Sequence, residues 1–366
     1  MINIVVDKLN NNKVEIVEVK GSGHPDTLCD VLTEECSKRL SRYYLKNFGK
    51  VLHHNLDKAL IVAGKAVPEF NAGKIIEPMK IIIAGRAVTK VGNVLVPIEK
   101  IIRNAVEDVM QKFNAPYELE IQVKEGAQNL KQVFKRAIAV ANDTSIGVAF
   151  YPLTPLEKMV KNTAELISSE NFRKKFQGVG YDVKVMGVRE GKNVSMTIAL
   201  AFVSKHIKNM HHYRELKHEI KTYIENLHNV SVHINTLDSY DKIENLYITV
   251  TGLSAENGDD GQAGRGNRYN GLITPNRAMS IESYAGKNIN HPGKIYQVMA
   301  QKIAEDLVKK ANSKCVEVML MTEIGKPLTE PYVVSIKAEN IDLRKIKEVV
   351  EQGFKDFKKL QKANLL

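Results

Sequence analysis

Between Gly252 and Gly271 the chain reads GLSAENGDDGQAGRGNRYNG, which sets the carboxylates Asp259 and Asp260 beside Arg265 and Arg268 among five glycines from Gly258 onward. Glycine lets backbone approach a ligand closely, and successive amides can cradle phosphate. Carboxylates add ligands for Mg2+, and arginines add bidentate phosphate contacts. A glycine-rich turn with surface charges accounts for GDDG alone but not for the whole run. The segment is not a Walker A loop, because GxxxxGK[ST] occurs nowhere in the chain. Nor is Gly261-Gln-Ala-Gly264 a dinucleotide fingerprint, since its spacing is wrong and no βαβ context precedes it.

Three further segments carry chemically useful residues. Gly21-Ser-Gly-His24-Pro-Asp26 leaves a strand-like Val14–Val19 run and enters a helix beginning near Thr27. His24 and Asp26 then stand at a helix N-terminus, which favours phosphate, or Asp26 simply satisfies the first amides. Ala285-Gly-Lys287-Asn288 offers a lysine beside glycine, either a phosphate contact or an ordinary surface residue. Asn142-Asp143-Thr-Ser145 reads as a turn entering a strand at Ile146, with Asp143 anchoring a cationic ligand or capping the turn. His53-His54-Asn-Leu-Asp57 has adjacent histidines that project differently and no third spaced ligand, so a polar structural turn is expected rather than a metal site.

These segments must be positioned by regular elements, and six stretches carry helical periodicity. In Pro97–Lys112 the apolar residues Ile98, Ile101, Ile102, Ala105, Val106 and Val109 share one face. Thr154-Pro-Leu-Glu157 forms a capping box with proline at the first helical position. Similar stripes mark 27–47, 205–226, 292–311 and 342–360. Strand-like runs lie between them, at Ala59–Ala63, Lys80–Gly85, Glu118–Val123, Val183–Val188, Val194–Val203, Val230–Asn235, Leu246–Thr251, Cys315–Met321 and Tyr332–Lys337. The class is α+β. In Val194–Val203 the large residues Val194, Met196, Ile198, Leu200 and Phe202 should meet helices. The opposite face of Ser195, Thr197, Ala199, Ala201 and Val203 suits either packing on another sheet or partial exposure.

The 366 residues exceed one ordinary domain, and 43% apolar with 26% charged residues is a globular composition. No apolar run is long enough for a transmembrane helix, and the first residues lack the order of a secretory signal. Three cysteines, Cys29, Cys36 and Cys315, form no CxxC pair and no disulfide framework, so a reducing cytoplasm is the expected setting. The net charge of +11 fits nucleic acid, an anionic membrane or a polyphosphate substrate. Much of the excess sits in lysine-rich helices such as Lys355–Lys359, and no zinc-finger, RNA-recognition or aromatic-basic pattern occurs. Neither a nucleic acid nor a membrane is therefore expected as a partner.

Taken in order, GSGHPD at 21–26, LHHNLD at 52–57, AGRAV at 84–88, ANDTSIGV at 141–148, VMGVREGK at 185–192, SAENGDDGQAGRGNRYNGLITP at 254–275 and AGKNINHPGKIY at 285–296 resemble the archaeal-type S-adenosylmethionine synthetases. The resemblance spans nearly the whole chain. It implies three similar α+β units about a pseudo-threefold axis, placed near 1–125, 126–250 and 251–366 but interleaved, with sheets packing in a homodimer and active sites between subunits. It implies Mg2+-dependent joining of ATP and L-methionine, with the triphosphate then hydrolysed to pyrophosphate and phosphate. Residue by residue, it places His24 at a bridging oxygen or phosphate, Asp26 on Mg2+, and Lys184, Arg265 and Lys287 around triphosphate. Asp143 would hold the methionine ammonium, with Asp182, Asp259 and the less certain Asp260 as nucleotide- or substrate-binding carboxylates. Departures stand at Lys124-Glu-Gly-Ala127, where the family has a GQGS stretch, and at Leu60, where it has an acidic residue. Leu60 makes a K+ site doubtful. AGKNINH is one residue short and the connection after Ala87 is abbreviated. These departures keep open a paralogue using a methionine analogue or other acceptor, and a non-catalytic nucleotide-binding partner.

Overall fold

The computed structural model describes residues 2–9, 12–126, 140–264, 270–311, 313–339 and 342–363, the side chains of 362 and 363 excepted. Among the described residues, three sheets of four or five strands each share a core with two long helices. One sheet is ordered Gly261–Gln262, His54–Val62, Met79–Ala87, Tyr117–Glu125 and packs on helices Pro25–Phe48 and Ile98–Met110. A second is ordered Ser231–Ile234, Asn193–Val203, Val179–Glu190, Val14–Lys20, with Ile248–Thr249 alongside, and packs on Pro155–Ile167 and Met210–His228. The third is ordered Ile4–Lys8, Val333–Ala338, Val316–Met321, Ile146–Tyr151 and packs on Pro292–Lys310 and Leu343–Lys355. The class is α+β, as the alternation of helical and strand periods implies.

The chain interleaves these layers. Its first strand lies parallel to Val333–Ala338 in the third sheet, and its second pairs antiparallel with Val179–Glu190 in the second. From there it enters the first helix through Gly21–His24. A Cβ at Gly23 would stand 2.5 Å from the Tyr181 backbone, so glycine is required where this turn crosses the neighbouring strand. His24 is thereby fixed at the joint between two sheets.

Local chemistry sets the helix ends. The Thr154 hydroxyl accepts from Glu157 N–H at 3.0 Å while the Glu157 carboxylate accepts from Thr154 N–H at 2.9 Å, both arms of the capping box. The helix expected from residue 205 begins later, at Met210, because Asn209 caps it by accepting from His212 N–H. The 342–360 stripe breaks at Asp356 into Leu343–Lys355 and Phe357–Ala363. Of Leu246–Thr251 only Ile248–Thr249 pairs, since the Glu256 carboxylate takes the amides of Val250 and Thr251 instead. Met196, Ile198, Leu200 and Phe202 are fully buried against the helices, as their alternation requires.

The LHHNLD segment is not a turn. A strand starts at His54, whose ring is wholly buried, with Nδ1 3.0 Å from Leu52 O and Nε2 2.9 Å from Ser37 Oγ. Burial pushes its pKa down to about 3. The unfolded chain then takes up a proton below pH 6.5 that the folded chain refuses until near 3. Stability from the neutral ring is complete above 6.5 and is lost as the pH falls. Denaturant midpoints measured from pH 6 to 4.5 should show His54→Asn less steeply pH-dependent than the parent, by about 1.4 kcal/mol per pH unit. An unchanged slope would mean that His54 titrates normally.

Candidate functional site

The first cluster is built on the N-terminus of helix Pro25–Phe48. His24 is its N-cap, and its Nδ1 accepts from Asp26 N–H at 3.2 Å. With Nδ1 used as an acceptor, the neutral ring carries its proton on Nε2. Burial, followed by Lys20 and Lys184, lowers the His24 pKa to about 4, so the ring is a neutral hydrogen-bond donor at pH 7. Asp26 accepts from Lys20 Nζ at 2.6 Å and from Gln262 N–H at 3.1 Å. Asp182 is 2% exposed and accepts from Tyr247 Oη at 2.9 Å and from Ser254 Oγ, which also meets Asp259 at 3.0 Å. Burial raises the Asp182 pKa to about 6 against those two hydrogen bonds, with Asp259 adding to the rise and Lys184 opposing it. Asp259 is exposed, so the cluster opens outward. A cavity of about 690 Å3, lined among others by Thr197, Ala199 and Tyr247, adjoins it.

A ladder of carboxylates runs down the same helix. Asp26, Asp30 and Glu34 are spaced i, i+4, i+8 and therefore share a face. Asp26 holds Gln262 N–H, Asp30 holds Gly264 N–H at 2.9 Å, and Glu34 holds Gly286 N–H at 3.2 Å. Glu34 also pairs with the buried Lys294 at 2.6 Å. One rigid helix thus sets the register of both glycine-containing loops. Burial raises the Asp30 pKa to about 6, opposed by the Gly264 hydrogen bond. Asp30→Ala, which leaves that amide unpaired, should lower the stability of the fold by about 1–3 kcal/mol. An unchanged denaturant midpoint would show otherwise.

The second cluster sits about eight residues along this helix, roughly 12 Å of rise from Asp26 to Glu34. Lys287, 2% exposed, pairs with Asp57 and lies 3.2 Å from Glu282. Burial pushes the Asp57 pKa up, but Lys287 and Lys58 outweigh it and hold the carboxyl below its usual range. Glu282 accepts from Ser145 Oγ, and Asp143 caps Thr144 N–H at 2.8 Å. His291 is the N-cap of helix Pro292–Lys310, with Nδ1 accepting from Gly293 N–H at 3.1 Å. Its Nε2 faces Asp143 and Glu282 at 3.9 Å each. Burial, then Lys287, lowers its pKa to about 4.

The sequence model of the S-adenosylmethionine synthetase (AdoMet synthetase) family matches residues 2–364. The chain belongs to that family. It is 40% identical to the S-adenosylmethionine synthase of Thermoplasma volcanium, covering 97% of this chain and 94% of that protein. The Pyrobaculum calidifontis S-adenosylmethionine synthase is 44% identical, covering 91% and 88%. A probable S-adenosylmethionine synthase of Aquifex aeolicus is 42% identical, covering 96% and 94%. Among solved structures, an unusual S-adenosylmethionine synthetase from Campylobacter jejuni shares the fold with a TM-score of 0.62 at 14% identity, covering 90% of this chain and 82% of that one.

In this member of the S-adenosylmethionine synthetase family, His24, Asp26, Lys184, Asp182 and Asp259 come together. Asp143 and Lys287 belong to the second cluster. Lys287 is deeply buried and ion-paired, not surface. Asp260 turns elsewhere, accepting from Ala63 N–H at 2.8 Å and tying the loop to a strand end. Arg265, like Ala127 of the altered GQGS stretch, lies outside the described residues. Lys124 is exposed near the end of strand Tyr117–Glu125, and Leu60 is 40% exposed on its strand. Sequence reasoning missed Asp57, Glu282 and His291. A signal existed for the last: His24-Pro25 and His291-Pro292 are matching His-Pro pairs at helix starts, and both rings accept the amide two residues on.

Proposed function

We propose that the chain is a methionine adenosyltransferase that forms S-adenosylmethionine from ATP and L-methionine and hydrolyses the resulting triphosphate to pyrophosphate and phosphate. The observation that carries the reading is the first cluster, where a neutral His24 with its proton on Nε2 stands beside Lys20, Lys184 and carboxylates at a helix N-terminus. Family membership supports it. The methionine sulfur attacks C5′, the C5′–O bond breaks, and the electron pair leaves on triphosphate. A neutral thioether gives up no proton, so no general base is needed. The demand falls on the leaving group, which His24 Nε2–H, Lys20, Lys184 and the helix amides are placed to stabilise before charge develops. In the second step water adds to phosphorus and a P–O–P bridge breaks under the same electrostatic field.

The oxygen donors of this cluster suit Mg2+, which takes one or two carboxylates plus phosphate and keeps several waters. Asp26 would hold it, with Asp259 beside it, and the ion would neutralise phosphate oxygens. Asp143 would take the methionine ammonium. Phosphorus NMR should show ATP consumed only when methionine is present, giving pyrophosphate and phosphate in equal amounts. Release of ADP would contradict the reading.

Removing Mg2+ with a chelator should abolish turnover, whereas replacing Na+ by K+ at matched ionic strength should change the rate by less than about twofold, because the Leu60 side chain offers no oxygen. A large K+-specific activation would refute the inference from Leu60. We also read the protein as a homodimer. Leu60 and Val62 are 40% and 41% exposed on one sheet face, and Ser195, Thr197 and Ala199 form a small-residue face on another. Light scattering should give twice the chain mass, and an active monomer would refute it.

A further inference from the structure

One oxygen of Asp182 is pinned and the other is not. Oδ2 accepts from both Tyr247 Oη and Ser254 Oγ, whereas Oδ1 has no hydrogen-bond partner among the described residues. The residue is buried on strand Val179–Glu190, with its own N–H on Gly252 O at 2.9 Å. It stands with Lys184 and Asp259 in the cluster proposed to take ATP. A buried carboxylate repels phosphate, so what Oδ1 offers ATP is an acceptor for the hydroxyl and amino groups of the nucleoside. That offer depends on Oδ2 staying occupied, which fixes the plane of the carboxylate.

The two hydroxyls on Oδ2 are not equivalent. Ser254 Oγ carries one proton and stands between two carboxylates, Asp182 and Asp259, the latter at 3.0 Å. Tyr247 Oη meets Asp182 alone, at 2.9 Å, and is its unshared side-chain donor among the described residues. Burial, then the Asp182 charge, pushes the Tyr247 pKa up, so the phenol keeps its proton and donates.

Tyr247 in turn is anchored outside the cluster. Its N–H donates to Asp238 Oδ1 at 3.2 Å, and its carbonyl accepts from Phe202 N–H at 3.0 Å. Asp238 is itself locked, since Oδ2 accepts from Tyr213 Oη at 2.7 Å and from Lys217 Nζ at 2.5 Å. Tyr213 is wholly buried and packs edge-on against Phe202, with ring centroids 4.8 Å apart. Tyr213 and Lys217 lie on helix Met210–His228, and Tyr213 and Phe202 share the core of the second sheet. The phenol hydroxyl is therefore placed by a packed core and not by the glycine-rich loop that carries Asp259.

We propose that Tyr247 is a positioning residue for nucleotide binding: its hydroxyl, fixed through Asp238 and Lys217, holds Oδ2 of Asp182 and leaves Oδ1 for the nucleoside of ATP. The role rests on the methionine adenosyltransferase reading and adds to it a residue that acts only through another. Tyr247 moves no proton and takes part in no bond that forms or breaks. A tyrosine whose hydroxyl merely finds a partner for burial would affect folding and leave the discrimination between ligands alone.

Calorimetry on the full chain with Mg2+ tests this by comparing a non-hydrolysable ATP analogue with tripolyphosphate, which lacks the nucleoside. Tyr247→Phe should weaken the analogue by about tenfold or more, the usual cost of losing a hydrogen bond to a charged group, and leave tripolyphosphate unchanged. Replacing Tyr247 by 4-aminophenylalanine, whose N–H also donates, should restore most of the affinity for the analogue. Parental affinity for the analogue in Tyr247→Phe overturns the proposal. Equal weakening of both ligands also overturns it, because a damaged fold does not distinguish them. So does a loss that 4-aminophenylalanine fails to restore. If Tyr247→Phe does not fold, 3-fluorotyrosine in place of Tyr247 keeps the hydroxyl and makes it a stronger donor. The analogue should then bind about twofold more tightly, and unchanged or weaker binding overturns the proposal. A parent that binds neither ligand removes the underlying function and this role with it, whereas a parent that binds both, with the analogue indifferent to Tyr247→Phe, removes this role alone.

Discussion

Lys287→Met should lower both adenosyl transfer and hydrolysis of added tripolyphosphate by about 100-fold or more, the usual cost of removing one pre-placed stabiliser of a developing anion. The two activities should fall together, because both need the same polyphosphate neutralised. The structure adds a second effect. Asp57 is 7% exposed and Lys287 is its buried partner, so methionine at 287 leaves this carboxylate only the solvent-exposed Lys58 for compensation. Stability should drop by about 3–5 kcal/mol. Asp57→Asn combined with Lys287→Met should recover most of that loss without recovering activity. A double variant both stable and active would show that Lys287 serves the fold only, and undiminished tripolyphosphate hydrolysis in Lys287→Met would refute its role at phosphate.

Asp143→Asn should behave differently although Asp143 and Lys287 both adjoin Glu282. Removing one charged acceptor from an ammonium should raise the methionine concentration at half-maximal rate by about tenfold to a hundredfold. Hydrolysis of added tripolyphosphate contains no amino acid and should retain most of its rate. The side chain is half exposed and makes a local hydrogen bond to Thr144 N–H, which asparagine can also accept, so folding should be preserved. Initial-rate measurements with each substrate separate the two variants. Equal loss of both activities in Asp143→Asn would remove the residue from amino-acid recognition and favour a different acceptor.

Regular periods and short-range chemistry are legible in the sequence. Thr154 and Glu157 announce a helix start through spacing alone, and the alternating large residues of Val194–Val203 identify their core face. His24 and Asp26 are legible because the turn, the proline and the helix lie within a few residues of one another. The partners of Lys287 are not legible in this way. A register shift between Asn55 and Lys58 turns both Leu56 and Asp57 inward, so strict alternation misplaces Asp57. Its ion pair then spans 230 positions of chain. Glu282 lies in an irregular stretch with no period to read, and its role depends on a helix that begins well after it, at Pro292. Asp30 and Glu34 have the spacing of a solvated acidic stripe. Only the folded chain shows them holding the amides of Gly264 and Gly286.

If this pair of clusters transfers the adenosyl group of ATP to a thioether sulfur, the sulfonium product can be weighed. Mass spectrometry of the products from purified protein, ATP, Mg2+ and methionine should find a species with the mass of S-adenosylmethionine. It should form in step with pyrophosphate and phosphate, and it should be absent when His24→Ala replaces the parent. No adenosylated methionine under these conditions, or its undiminished formation by His24→Ala, would contradict adenosyl transfer at this site.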